Sequence, residues 1–336
     1  MKKIACVGYH ATGAGVIDDL FREFDNVAQG SYEVECRVLQ DPDGVADLEY
    51  NLVENPHRLN SGFAVKRFLK YVYRTNRTYK KIFGPKWIEL SEEYARKIVK
   101  IDYVGYWHGD IWLLNPVFRY YHLFRRALSK VAPKKFKKPS YYNYFPRLRT
   151  YHACMSEAEF LACTQDYMDS LCAAMNTENK EFVMLDQLYA PGNLARYVRY
   201  MRDTKAIVVD RDPRDVFIFQ KLIGEHTLPS EVHEFCTVYR DTRVKTSQEP
   251  EGSCLHVTFE DMIYHYEENV KKVLDFVGLS EKEHVRKRQR FNPDISIKNT
   301  KLWEKHPEYA EEVNVIQKLL PEYLYSYEKS VVSNGV

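Results

Sequence analysis

Val208-Val209-Asp210-Arg211-Asp212-Pro213-Arg214-Asp215-Val216 decides how this chain is read. An apolar, β-branched run stops abruptly in charge, the pattern of a buried parallel strand that delivers a guanidinium to the carboxyl edge of an open α/β sheet, where such folds bind ligands. A guanidinium there suits a phosphate or a sulfate. Pro213 has the fixed φ of a first helical turn, and Val216, Phe217, Phe219, Leu222 and Ile223 continue at helical spacing. Strand, anion-binding Arg211 and helix are therefore predicted in that order.

A second strand-loop-helix unit lies at Lys3–Phe21. Lys3-Ile4-Ala5-Cys6-Val7 is a short apolar strand, and Val16, Ile17, Leu20, Phe21 and Phe24 share one helical face. Between them His10-Ala11-Thr12-Gly13-Ala14-Gly15 is small enough for backbone N–H groups to approach an anion. The spacing Gly8-x-x-x-x-Gly13 is that of a P-loop, but Ala14 and Gly15 stand where Lys and Ser or Thr hold a γ-phosphate and Mg²⁺. Ordinary ATP or GTP hydrolysis is disfavoured.

Taken with two later segments, these residues resemble the sulfotransferases that use 3′-phosphoadenylyl sulfate (PAPS), in their bacterial, glycan-directed form. His256-Val257-Thr258-Phe259-Glu260-Asp261-Met262, followed by a helix ending Phe276-Val277-Gly278-Leu279, is similar to that family's Tyr-Glu-Asp-Leu strand and its Phe-Leu-Gly-Leu helix. Ser296-Ile297-Lys298-Asn299-Thr300-Lys301-Leu302-Trp303 resembles the late loop that closes over the nucleotide, with Lys301 in place of a Gly.

The resemblance implies a P-loop-like three-layer α/β fold with a central, mainly parallel sheet and a helical, aromatic-rich insertion. It implies PAPS as co-substrate, 3′-phosphoadenosine 5′-phosphate (PAP) as product, and no metal. Arg211 falls on the residue that grips the 3′-phosphate; Ala11, Thr12, Gly13, Ala14, Gly15 and Val16 fall on the loop around the 5′-phosphosulfate; Ser296, Lys298 and Lys301 fall within reach of the 3′-phosphate. Asp186, at the exit of the strand 181–185, is the first candidate for the base that deprotonates the acceptor, because Gln187 takes the place of the family's His. His10 is the second, since its ordinary pKa suits proton transfer near neutrality. Two departures stand out: Ala11 replaces the Arg or Lys of the loop, and Phe219 replaces a phosphate-binding Ser. They keep open a catalytically impaired binding protein of the same fold, or a transferase or kinase using another phosphorylated nucleotide.

The 336 residues, 45% hydrophobic, are expected to form one enlarged domain with an insertion at about 101–151. No apolar run reaches the length of a membrane span and no signal peptide is recognised, so a cytoplasmic protein is expected. The seven cysteines are odd in number and form no Cys-x-x-Cys pair, which fits reduced thiols better than disulfides or zinc. Phe118–Arg149 carries ten of the 49 Lys and Arg residues and none of the 47 Asp and Glu, interleaved with aromatics. Such segregation predicts contact with something anionic: an acidic glycan, a lipid-linked diphosphate precursor or a membrane surface. Nucleic acid is not expected, because no reader motif accompanies the patch. The sequence leaves the oligomeric state open. Ser156-Glu157-Ala158-Glu159 is a capping box opening a helix to about Met175, and further helices are expected near 62–79, 92–100, 192–201 and 307–320.

Overall fold

The computed structural model describes residues 1–57, 59–105, 107–131, 149–244 and 248–327. The chain divides into two compact units, one of Met1–Arg37 with Cys172–Val336 and one of Val38–Leu171.

The first unit opens with β1 (Lys2–Gly8), α1 (Gly15–Phe21) and β2 (Val27–Gln29). The second holds α2 (Val45–Glu49), α3 (Asn60–Arg74), α4 (Asn76–Phe83), α5 (Lys86–Ile98), β3 (Ile101–Val104), α6 (Pro116–Val131), β4 (Arg149–His152) and the greater part of α7 (Glu157–Met175). The chain then returns to the first unit with β5 (Phe182–Asp186), α8 (Leu194–Tyr197), β6 (Thr204–Asp210), α9 (Pro213–Ile223), α10 (Val232–Asp241), β7 (Cys254–Thr258), α11 (Phe259–Tyr264) and α12 (Tyr266–Val277). Short α13 (Pro293–Ser296) and α14 (Leu302–Lys305) and longer α15 (Ala310–Leu319) complete it.

The first unit is built on a five-stranded sheet in the order β2-β5-β1-β6-β7, every pair parallel. This is the α/β architecture expected. Along the strands, Ile4, Cys6, Met184, Ile207 and Val209 pack into one core with the apolar faces of α1, α11 and α12. The alternate residues Ala5, Val7, Val183, Ala206 and Val208 are just as buried on the other face. Burial on both faces is why these strands read as continuous apolar runs. A second core joins α9, α10, α14 and α15 through Val216, Phe217, Phe235, Cys236, Leu302 and Ile316.

The second unit is helical around a cluster of buried aromatics. Phe68 meets Tyr94 edge-on at 5.6 Å, and Tyr94 stacks on Tyr167 at 4.5 Å. Their hydroxyls stay satisfied although buried: Tyr94 pairs with Thr164 Oγ1 at 2.8 Å and Tyr167 with Ser91 Oγ at 2.7 Å. The helix expected near 62–79 forms as two, because the chain leaves helical geometry at Thr75, whose hydroxyl turns back to the Tyr71 carbonyl at 2.8 Å. The segment near 192–201 is a string of single turns, and α7 begins at the Ser156–Glu159 capping box. No two cysteines are joined in a disulfide, and no described helix is long and apolar enough to cross a membrane. Lys134, Lys135, Lys137 and Lys138 of the basic segment lie outside the described residues.

Candidate active site at the carboxyl edge of the sheet

β1 is central, and from its carboxyl end the chain moves outward in one direction to β2 and later in the other to β6 and β7. That reversal is the switch point where open α/β sheets leave a crevice. A cavity of about 360 Å³ occupies it, walled by the loop His10–Gly15, by Asp186 and Gln187 from β5, by Arg211 from β6, and by Phe219, Phe259 and Asn299.

Arg211 is the most unusual residue in that wall. The five charges at the end of β6 fall into two groups. Asp212 caps α9 and pairs with Arg214 at 2.6 Å, also accepting the Tyr325 amide; Asp210 pairs with Arg243 at 2.6 Å; Asp215 accepts the amides of Lys301 and Leu302 at 3.0 and 2.6 Å. Those residues build the fold. Arg211 is only 3% exposed, yet among the described residues it forms no ion pair. Its Nη atoms donate to the carbonyls of Ala11 and Asn299, its plane lies between the rings of Phe259 (4.8 Å) and Phe219 (5.0 Å), and its Nε has no partner. Burial pushes its pKa down, with Asp215 and Glu260 acting in the opposite direction. Burial also raises the Glu260 carboxyl to about 8, so at neutral pH it is largely uncharged and does not cancel the guanidinium. Asp215 offsets part of that cost through space, but no carboxylate pairs with the guanidinium directly, and a desolvated cation of this kind is compensated when an anion arrives.

The loop from β1 is shaped for the same partner. Gly13 has φ +78°, and a Cβ there would come within 2.4 Å of the Phe259 ring. Ala11 is also left-handed, at φ 55°. Among the described residues the amides of Thr12, Gly13, Ala14 and Gly15 find no hydrogen-bond acceptor, and the buried Thr12 Oγ1 is without a partner. Val16 differs: its amide is taken by the Gly13 carbonyl at 3.1 Å and its side chain lies in the core.

Asp186 lies at the opposite end of the cavity, two strand spacings of about 5 Å from β6. Its Oδ1 is buried without a partner. Burial, reinforced by the charges of Asp18 and Glu35, raises its carboxyl from 3.8 to about 7. A carboxylate poised there is a competent proton acceptor near neutrality. Gln187, left-handed at φ 53°, accepts the Gly8 amide at 3.2 Å and ties β5 to the end of β1. His10 also lines the cavity, with Nε2 3.3 Å from Glu225.

The predicted residues His10, Ala11, Thr12, Gly13, Ala14, Gly15, Asp186 and Arg211 thus share one cavity. Ser296, Lys298 and Lys301 do not line it. The late loop is drawn in by Asp215, but it contributes the Asn299 carbonyl; Lys298 is exposed, and the Lys301 ammonium lies 3.6 Å from Glu304 and over the Tyr327 ring. Arg286, Lys287 and Arg288 are matched at the surface by Asp25, Glu267 and Asp294. Sequence reasoning missed Asp18 and Glu35, which tune Asp186, and Phe259, which had been visible only as part of a fold motif. A neighbouring cavity of about 650 Å³ also touches Arg211 and Lys272, but its other charged residues are Asp210, Asp212, Glu260, Asp261, Glu268 and Glu322. With Glu260 largely uncharged, five carboxylates still outnumber two cations there, which disfavours an anion. No cluster of three or more His, Cys, Asp and Glu suited to a metal occurs among the described residues.

No family model matches the chain, and no curated protein matches it. Among solved structures it is similar to retinol dehydratase in complex with androsterone and the inactive cofactor PAP, at 15% identity over 98% of this chain and 84% of that chain, with a TM-score of 0.34. Likeness that loose says nothing of function.

Proposed function

We propose that this protein transfers a sulfonyl group from PAPS to a hydroxyl or amine. The observation that carries this is Arg211, a buried guanidinium without an ion pair beside a loop of unpartnered amides. Such a cavity fits a ligand with anionic groups at two places. PAPS has them, a 3′-phosphate for Arg211 and a 5′-phosphosulfate for the amides of Thr12–Gly15. Ala14 and Gly15 provide neither the Lys nor the hydroxyl that MgATP needs.

The bound donor supplies an activated sulfonyl group. Asp186 takes the proton from the acceptor, whose oxygen or nitrogen forms the new bond to sulfur while the bridging S–O bond breaks and PAP leaves with the electron pair. The chain's own contribution is positioning and charge stabilisation. Gly13 brings backbone amides close, Gln187 fixes β5 against the end of β1, and burial, with Asp18 and Glu35, keeps the base near neutrality. Ala11 brings no cation to the bridging oxygen, so charge there falls to the amides of the loop, while Arg211 holds the donor by its 3′-phosphate. A glycan or lipid-linked acceptor is the class favoured by the basic segment 118–149.

The test is ligand-induced thermal stabilisation. PAP should raise the melting temperature more than adenosine 5′-phosphate does, and Arg211→Ala should abolish that difference. Equal shifts for the two nucleotides in the parent would remove the donor assignment. Release of labelled PAP from PAPS with mixed cell-envelope acceptors then separates an enzyme from a binding protein of the same fold.

A further inference from the structure

The surface of α6 points to a membrane. At 100° per residue, Val117, Tyr120, Tyr121, Leu123, Phe124 and Val131 fall on one arc of this helix, and Arg119, Arg125, Arg126 and Lys130 fall on the opposite one. In a globular protein an apolar arc of this kind faces the core. Here it faces solvent: Val117 is 73%, Tyr120 66%, Phe124 63% and Val131 79% exposed. Phe118, exposed on the basic side, and Trp112, just ahead of the helix and 5.7 Å from the Arg119 guanidinium, enlarge the patch.

The chemistry of the patch selects its occupant. A second copy of the chain would bring two acid-free basic segments together. A polyanionic glycan would pair with the cations and stack on the aromatics, but it would leave Val117, Leu123 and Val131 in water. An anionic phospholipid surface satisfies both arcs, with aliphatic and aromatic side chains entering the acyl boundary and cations remaining among the headgroups. The 16 residues of α6 reach about 24 Å, short of the roughly 30 Å hydrocarbon layer. We infer that α6 docks this protein in the plane of an anionic bilayer surface. The inference is independent of the donor assignment.

Vesicle co-sedimentation of the full chain tests it. Vesicles of phosphatidylcholine with phosphatidylglycerol should bind on the order of tenfold or more tightly than phosphatidylcholine alone, and salt should weaken the binding. The double variant Val117→Glu/Phe124→Glu should lose roughly tenfold or more of that affinity, with unchanged circular dichroism and unchanged PAP binding. Phe124→Ser provides a milder change at one of the same exposed positions. Three results overturn the inference: no preference for anionic vesicles, binding that the apolar-arc variants leave intact, or a parent dimer that the double variant dissociates in the absence of vesicle binding. Equal retention of parent and variant on heparin, without vesicle binding, would assign the patch to a soluble polyanion instead.

Discussion

Replacing Asp186 by Asn separates the chemistry of the site from its stability, with opposite signs. The folded carboxyl titrates near 7 and the unfolded one near 3.8, so the native state holds its proton more tightly. For such a group, stability is full below the unfolded value and falls as pH rises to the folded one. The full difference corresponds to roughly 4 kcal/mol. Asn mimics the protonated form and escapes the loss. In urea denaturation the variant should gain on the parent by roughly 3 kcal/mol between pH 5 and pH 8.5, while turnover with PAPS falls by about 10²–10⁴. The parent's turnover should rise with pH and level off just above 7. Variant and parent stabilities that stay parallel across this range would refute the desolvated carboxylate. Near-normal turnover in the variant would transfer the base to His10.

Glu35→Gln removes one of the charges that raise Asp186, so the limb of the pH–rate profile should move to lower pH; an unmoved limb would leave burial and Asp18 as the causes. Gly13→Ala must adopt φ +78° with a methyl 2.4 Å from the Phe259 ring, and it should weaken PAP by about tenfold or more in calorimetry while the chain stays folded. Neutralising Lys134, Lys135, Lys137 and Lys138 together should raise the acceptor KM and flatten its salt dependence with PAP affinity intact; unchanged acceptor kinetics would leave these residues a solubility role.

Local chemistry made much of this protein legible in its sequence. The strand ending at Asp210, the Pro213 helix start, the small-residue loop after β1 and the Ser156 capping box each depend on residues close to one another in the chain, and all formed as patterned. Placing Arg211 at a sheet edge also needed only the abrupt end of an apolar run. The strand order, by contrast, arises from packing between segments far apart, and only that order sets Asp186 and Arg211 on either side of β1.

The roles within the charged cluster were equally tertiary. Nothing local distinguishes Arg211 from Arg214, but Asp212 pairs with one, and the other lies between Phe219 and Phe259 with no carboxylate in ion-pair contact among the described residues. Lys298 and Lys301 read as phosphate ligands because charge is visible in a sequence and orientation is not; the fold drew in their loop through Asp215 and turned the Asn299 carbonyl to the cavity. Residue order alone was enough to set out the elements and the point where the Arg211 guanidinium emerges. That the Asp186 carboxyl is raised to about 7 depends on packing, because burial and the fields of Asp18 and Glu35 act through space between segments far apart in the chain.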